Sequence, residues 1–223
     1  QTNVQMNFTG QHRCMPMFKF SEQMVGLIVE STGKYMNMLR RGDDCSQISC
    51  ISINDSIPMV KLCNEAKSKK IFGVISARED DDRRTFGGNF VSNYSKELGD
   101  ERVFINSIGE GGIWVCDVNG NLDNGDYICA AGMLVGDKNG YGMRQDDDLL
   151  HNYTVAKITM DCDFNPQLER VRIYSGYDEK TQSIIWDDKL DNDGQPVYKP
   201  QYECIELDDG IRVAFVGCTY HCG

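Results

Sequence analysis

The residues of this chain that could do chemistry are scattered. Its three histidines are His12, His151 and His221, and two of them neighbour a thiol: His12 is close to Cys14, and His221 to Cys218 and Cys222. Such a pair makes a nucleophile only if the fold sets imidazole and sulfur within hydrogen-bond reach. The chain has no nucleophile elbow, glycine-rich phosphate loop or dinucleotide fingerprint. The run Asp146-Asp147-Asp148 offers hard oxygen ligands, but consecutive loop residues cannot all face one ion, so a solvated acidic loop is expected. Residues 117–126 have the acids of a calcium loop without its closing bidentate glutamate, and tight-turn chemistry explains them at lower cost. Ten cysteines stand at 14, 45, 50, 63, 116, 129, 162, 204, 218 and 222, none of them in a CxxC pair, so no zinc site is expected. Their even number suits disulfides, while Cys116 and Cys129 inside apparent strands suit buried free thiols; both readings stay open. No metal and no cofactor is expected, and no catalytic residue is assigned.

The elements that must position these residues belong to an acidic chain. Against 23 Lys and Arg stand 34 Asp and Glu, a net charge of −11, which argues against nucleic acid as a partner. No apolar run reaches the roughly 20 residues of a membrane span. Asn7, Asn54, Asn93 and Asn152 head Asn-x-Ser/Thr sequons and are candidate glycan acceptors if the chain is secreted by a eukaryote. The tripeptide Arg41-Gly42-Asp43 reads as a chance match to an integrin motif. No signal peptide is read at the start, and a chain opening at Gln1 suits a processed or truncated product. Trp114, in an apolar run, is expected in the core. Trp186, beside Asp187 and Asp188, is expected at the surface, where it and Tyr141 could stack on a sugar.

Residues 104–162 carry the clearest structural signal. The apolar run Ile113-Trp114-Val115-Cys116 leads to Asn119-Gly120, Asn124-Gly125 precedes Tyr127-Ile128-Cys129, and Gly140-Tyr141-Gly142-Met143 and Thr154-Val155-Ala156-Lys157-Ile158 follow. Asn-Gly between apolar residues is the strongest short-range hairpin signal, because both central residues of the turn need a positive φ. The expectation is an all-β fold with a small closed barrel in the centre, flanking hairpins and an N-terminal extended arm. Three parts follow from the patterning: an arm over 1–20, a barrel-containing β domain over 21–164 and a C-terminal β-hairpin region over 165–223. Within the second part, residues 25–30 and 34–38 read as strands about a turn at Thr32-Gly33, and 58–62 and 71–76 as a strand pair. Residues 79–88 read as a solvated excursion, and Gly109-Glu110-Gly111-Gly112 as a bulge or tight turn. Residues 93–98 are the best of few helix signals.

The order Gly125-Asp126-Tyr127-Ile128, then Gly140-Tyr141-Gly142-Met143, then Ala156-Lys157 resembles the end domains of phage and giant-virus fibres and tail spikes. There a Gly-Asp strand is followed by a Gly-Tyr piece and an apolar-Gly-Lys-Ala strand. The longer string over 140–168 is similar to hypothetical proteins of giant algal viruses and their hosts. Residues 186–198 resemble a turn in the self-cleaving intramolecular-chaperone domains of tail spikes. The likeness covers about residues 20 to 216. The chain departs from the pattern in its many cysteines and in replacing a short turn with residues 130–139. The resemblance implies a structural and assembly module: the end domain of a homotrimeric fibre or appendage on a virion surface or outside the cell, joined to an upstream stalk. Gly125, Asp126, Gly140, Tyr141, Gly142, Met143, Ala156 and Lys157 are then its turn and closure motif. An autoproteolytic chaperone domain is the alternative it implies, and a carbohydrate-binding tip the third.

Overall fold

The computed structural model describes residues 10–37, 56–79 and 101–222, and those residues form an all-β chain with several sheets. The first sheet is built from β1 (Gln11–Pro16), β2 (Ile28–Asn37), β3 (Ser56–Leu62), β4 (Ile71–Arg78) and β5 (Val103–Asn106). Its pairings run β1-β3-β2-β4-β5 and return to β1, antiparallel throughout except at β1 with β3. Alternation explains why these segments are strands: β5 buries Val103 and Ile105 and turns Phe104 and Asn106 partly outward.

The second sheet contains β6 (Ile108–Cys116), β7 (Tyr127–Ala130), β8 (Gly142–Arg144) and β9 (Thr154–Ile158), with β14 (Glu203–Glu206) and β15 (Arg212–His221) from the end of the chain. Its order is β14-β15-β6-β8-β7-β9, and a further pairing of β15 with β9 closes a second ring. The four strands expected to close on themselves therefore do share one sheet, but their ring closes only through β15. The expected hairpin between the first two of them is absent. β6 lies between β15 and β8, and the Asn119-Gly120 turn ends a short 3-10 segment, Asp117–Asn119, rather than joining paired strands.

Other expectations shift for similar reasons. β3 and β4 are not neighbours, because β2 lies between them. The turn at Thr32-Gly33 is a break in register inside one ten-residue strand, between Ser31 and Tyr35. Gly109-Glu110-Gly111-Gly112 runs straight within β6, opposite residues 217–220 of β15. Its glycines are needed for space: a Cβ on Gly112 would lie 2.3 Å from the Phe215 ring, and one on Gly111 2.4 Å from the Tyr220 hydroxyl. Of the expected arm, residues 11–16 are β1, with Cys14 wholly buried, and residues 1–9 lie outside the described residues. The expected excursion begins at Glu79, which is buried and paired with Arg13 (2.8 Å); its remainder and the helix signal at 93–98 lie outside the described residues.

The two rings share a core. Ile28, Cys63 and Val74 of the first pack with Ile113, Val115 and Ile128 of the second. Removing each such aliphatic side chain from water stabilises the fold by about 1.5–3 kcal/mol. Trp114, half-buried, joins two further clusters. Backbone bonds tie the rings as well: Ile28 N–H donates to Gly140 O (2.7 Å), Gly140 N–H to Cys63 O (2.8 Å) and Trp114 N–H to Gly26 O (3.0 Å).

Between β9 and β14 the chain forms two ribbons outside this core. β10 (Leu168–Arg170) pairs with β13 (Tyr198–Pro200), and β11 (Arg172–Asp178) with β12 (Ser183–Asp188), each as a separate two-stranded antiparallel sheet.

Candidate functional site

The turn and closure residues lie around the second ring and do two jobs. Gly125 has a φ of +106°, donates its N–H to Ile158 O (2.9 Å) and so fastens the turn to β9; Asp126 accepts the Asp123 N–H on its carboxylate (2.9 Å). Gly142 faces Ile128, and a Cβ there would sit 2.5 Å from the isoleucine methyl. Ala156 is buried between Ile128 and Tyr220, Met143 is opposite Cys129, and Lys157 holds its ammonium over the Tyr127 ring (5.7 Å). Gly140 instead docks the first ring through the bonds above, and Tyr141 packs its ring edge-on to Trp114.

Three of these acids, Asp117, Asp146 and Asp147, are each committed to a separate task. Asp146 accepts from Asn119 Nδ2 (2.8 Å) and pairs with Lys67, and those two contacts with the lysine first hold its carboxyl below the usual carboxylate range. Asp147 accepts the Leu149 N–H (3.0 Å) and the His151 ring N–H (2.9 Å), and the Leu149 bond leads in lowering its pKa. Asp117 grips the Arg212 backbone N–H and Nε, both at 3.0 Å. This is turn and strand chemistry, as the sequence suggested.

Neither thiol–imidazole pair forms a nucleophile among the described residues. His12 Nε2 meets Ser107 Oγ at 3.0 Å, not Cys14, whose Sγ contacts the His12 backbone oxygen (3.9 Å). Ser107 sends its own proton to Gly10 O (2.8 Å), so the imidazole donates to the serine, the reverse of what a base-activated serine requires. Burial holds His12 below the ordinary imidazole range. His221 bonds Thr219 Oγ1 (3.2 Å).

The eight described cysteines are all free thiols, which corrects the disulfide reading for them; Cys45 and Cys50 lie outside the described residues. Four residues of extended chain put Cys218 and Cys222 about 13 Å apart, beyond the roughly 7 Å limit for a bridge. Burial pushes the thiols of Cys116 and Cys129 up to about 11, and those of Cys218 and Cys222 up to about 12, so they are inert hydrophobes at neutral pH. Of the sequons, Asn152 is exposed; Asn7, Asn54 and Asn93 lie outside the described residues, as do Arg41, Gly42 and Asp43.

One polar cluster went unread in the sequence. Glu30, 1% exposed, accepts from Ser68 Oγ (2.8 Å) and Cys63 Sγ (3.6 Å) and pairs with Lys61 (2.9 Å). Burial alone would raise its pKa, but the Lys61 and Ser68 bonds outweigh it and lower the value. The cluster anchors the 63–70 loop, from which Lys67 N–H reaches Ala130 O of the second ring (3.1 Å).

The ribbons present apolar and aromatic side chains that no core covers. Directly opposed residues of an antiparallel pair share a face. One face of the β11–β12 ribbon therefore carries Tyr174, Tyr177, Ile184 and Trp186 with Arg172 and Asp188, and the other carries Ile173 and Ile185. Trp186 is 51% exposed, as the sequence suggested, and Tyr174 64%, with their rings edge to face at 6.5 Å. Arg170 links the ribbons, bonding Tyr198 Oη (3.1 Å) and Asp188 (2.9 Å). Both faces are in water, although a lone two-stranded ribbon is marginal by itself. The period-two pattern revealed these strands but could not show that neither face is covered.

Among the described residues, no helix is long and apolar enough to cross a membrane. Comparison with protein-family models, with curated proteins and with solved structures finds no match to this chain.

Proposed function

We propose that this chain is a structural and assembly module that associates with copies of itself, the end domain of a homotrimeric fibre or surface appendage, with its second ring a small closed barrel. The observation that carries this reading is the pair of ribbons exposed on both faces. Trp, Tyr and Arg are the residues that dominate protein interfaces, and the aromatic face combines all three. The opposite face, where Ile173 and Ile185 lie among Ser183 and Asp187, is exposed as well, and covering apolar residues on both sides of one ribbon takes a neighbour on each side, as a ring of three supplies. Light scattering at micromolar concentration tests the reading. Three times the chain mass of 25.2 kDa is expected, and a monomer overturns it.

The exposed Tyr174–Trp186 pair also favours a second reading, a carbohydrate-binding tip. A glycan array separates the two: signal lost in Trp186→Ala supports the tip, and silence of the parent chain removes it. Tyr141 is half-buried against Trp114 and does not contribute to such a tip.

A further inference from the structure

The loop between β8 and β9 displays a second apolar feature, and it is held in place. Leu149 is 65% and Leu150 63% exposed. Both leucines sit in a loop whose shape is set by a buried amide. Gln145 donates from Nε2 to Leu149 O (2.6 Å) and to Asp147 O (3.0 Å), and accepts from Thr154 Oγ1 (2.7 Å). Thr154 Oγ1 in turn accepts the His151 N–H (2.9 Å), and Asp147 Oδ1 accepts the Leu149 N–H (3.0 Å). Asp146 fastens the near end of the loop to Asn119 and Lys67. A loop without these bonds would be free to fold its leucines against the sheet. Here the buried hydrogen bonds fix two adjacent leucines in water, an arrangement that lowers the entropic cost of binding.

We infer that the Leu149–Leu150 loop of one copy seats the aromatic face of the β11–β12 ribbon from the next copy. This rests on the self-association proposed above and specifies its contact. Two observations select the ribbon as occupant. Its aromatic face offers Tyr174, Tyr177, Ile184 and Trp186 to the leucines; of the two charges at its end, Asp188 is paired with Arg170 (2.9 Å), which leaves exposed Arg172 to meet exposed Asp148 beside the leucines. The two surfaces are also different patches of one chain. A contact between different patches is head to tail, and when its rotation closes it forms a ring, whereas a patch meeting itself stops at two copies.

The test uses the full chain, two double variants and their mixture, all by light scattering. Leu149→Ser with Leu150→Ser removes the seat, and Tyr174→Ser with Trp186→Ser removes the ribbon face. Each variant alone is expected to be monomeric, its association weakened about tenfold or more. Their equimolar mixture is expected to give a one-to-one heterodimer, because one chain still has a seat and the other a ribbon. A loop variant that remains trimeric overturns this contact and leaves self-association standing. A mixture that stays monomeric also overturns it, and a monomeric parent chain overturns both readings. Charge exchange gives an independent check that leaves the apolar residues in place. Asp148→Lys should weaken assembly and Asp148→Lys with Arg172→Glu should restore it; no restoration counts against the contact.

Discussion

In the body, β7 places Ile128, Cys129 and Ala130 wholly out of water between β8 and β9; in the ribbons, β12 places Ile184, Ile185 and Trp186 into it. The residue types are alike, and both segments are strands. What differs is the number of hydrogen-bonded neighbours and what lies behind them. A strand of either ring has a partner on each side and a core beneath, so its apolar residues stabilise the chain that carries them. A strand of the ribbons has one partner and no core, so its apolar residues can contribute only when another molecule arrives. The same β-propensity thus serves folding in one region and, in the assembly proposed above, association in the other.

The most severe way to break this comparison is truncation in both places. Ile128→Ala should cost about 2–5 kcal/mol in denaturant unfolding, the range for deleting a buried aliphatic side chain. Ile185→Ala, measured in the Tyr174→Ser/Trp186→Ser background that the proposed contact makes monomeric, should change stability by less than about 0.5 kcal/mol. Equal costs would remove the distinction. Glu30→Gln should come next, at about 1–3 kcal/mol, because it leaves Lys61 with a weaker partner beside a buried amide. Its pH dependence has a definite sign. The folded-state pKa of Glu30 lies below its unfolded value, so its contribution is present above the ordinary glutamate range near 4.3 and is lost as pH falls through the lowered value. Acid unfolding of Glu30→Gln should therefore show a shallower decline than that of the parent.

Smaller effects sharpen the boundary between the regions. Among the eight described thiols, Cys204 is the only one partly open to water, so mass mapping after brief alkylation should find it modified first. Equal labelling of Cys204 and Cys116 would show that the body opens more readily than its burial implies. Smallest of all, Arg170→Ala removes an exposed ion pair and should leave the melting midpoint of the monomeric variant where it was.

How far the sequence revealed this molecule depends on the range of the contacts concerned. Local chemistry was readable: Gly120 and Gly125 do take positive φ, and the hairpins β11–β12 and β14–β15 lie where alternation placed them. Pairing between distant segments was not. No periodicity in residues 28–37 announces that β2 inserts between β3 and β4, and none in 212–221 that β15 must close the ring begun at β6. Gly111 and Gly112 looked like a turn because the rings of Tyr220 and Phe215, which exclude a side chain there, lie about a hundred residues away in the chain. Nothing local marks Glu30 as buried; its burial depends on Lys61 and Ser68, supplied by another strand and a loop. The exposed Trp186 was legible because Asp187 and Asp188 follow it, and the pinned Leu149 and Leu150 were not, since only the buried Gln145 amide reveals that their exposure is held.

The pairing of β15 with both β6 and β9 has a consequence during biosynthesis. At about 5–20 residues per second, β6 leaves the ribosome roughly 5–20 s before its partner does. Through that interval the first ring has all of its described strands, while β6 and β9 present open edges of the kind on which chains join one another wrongly. The nascent protein thus carries unfinished edges while about a hundred residues are added, and a partner that occupies those edges until residue 221 emerges would raise the yield without changing the final product.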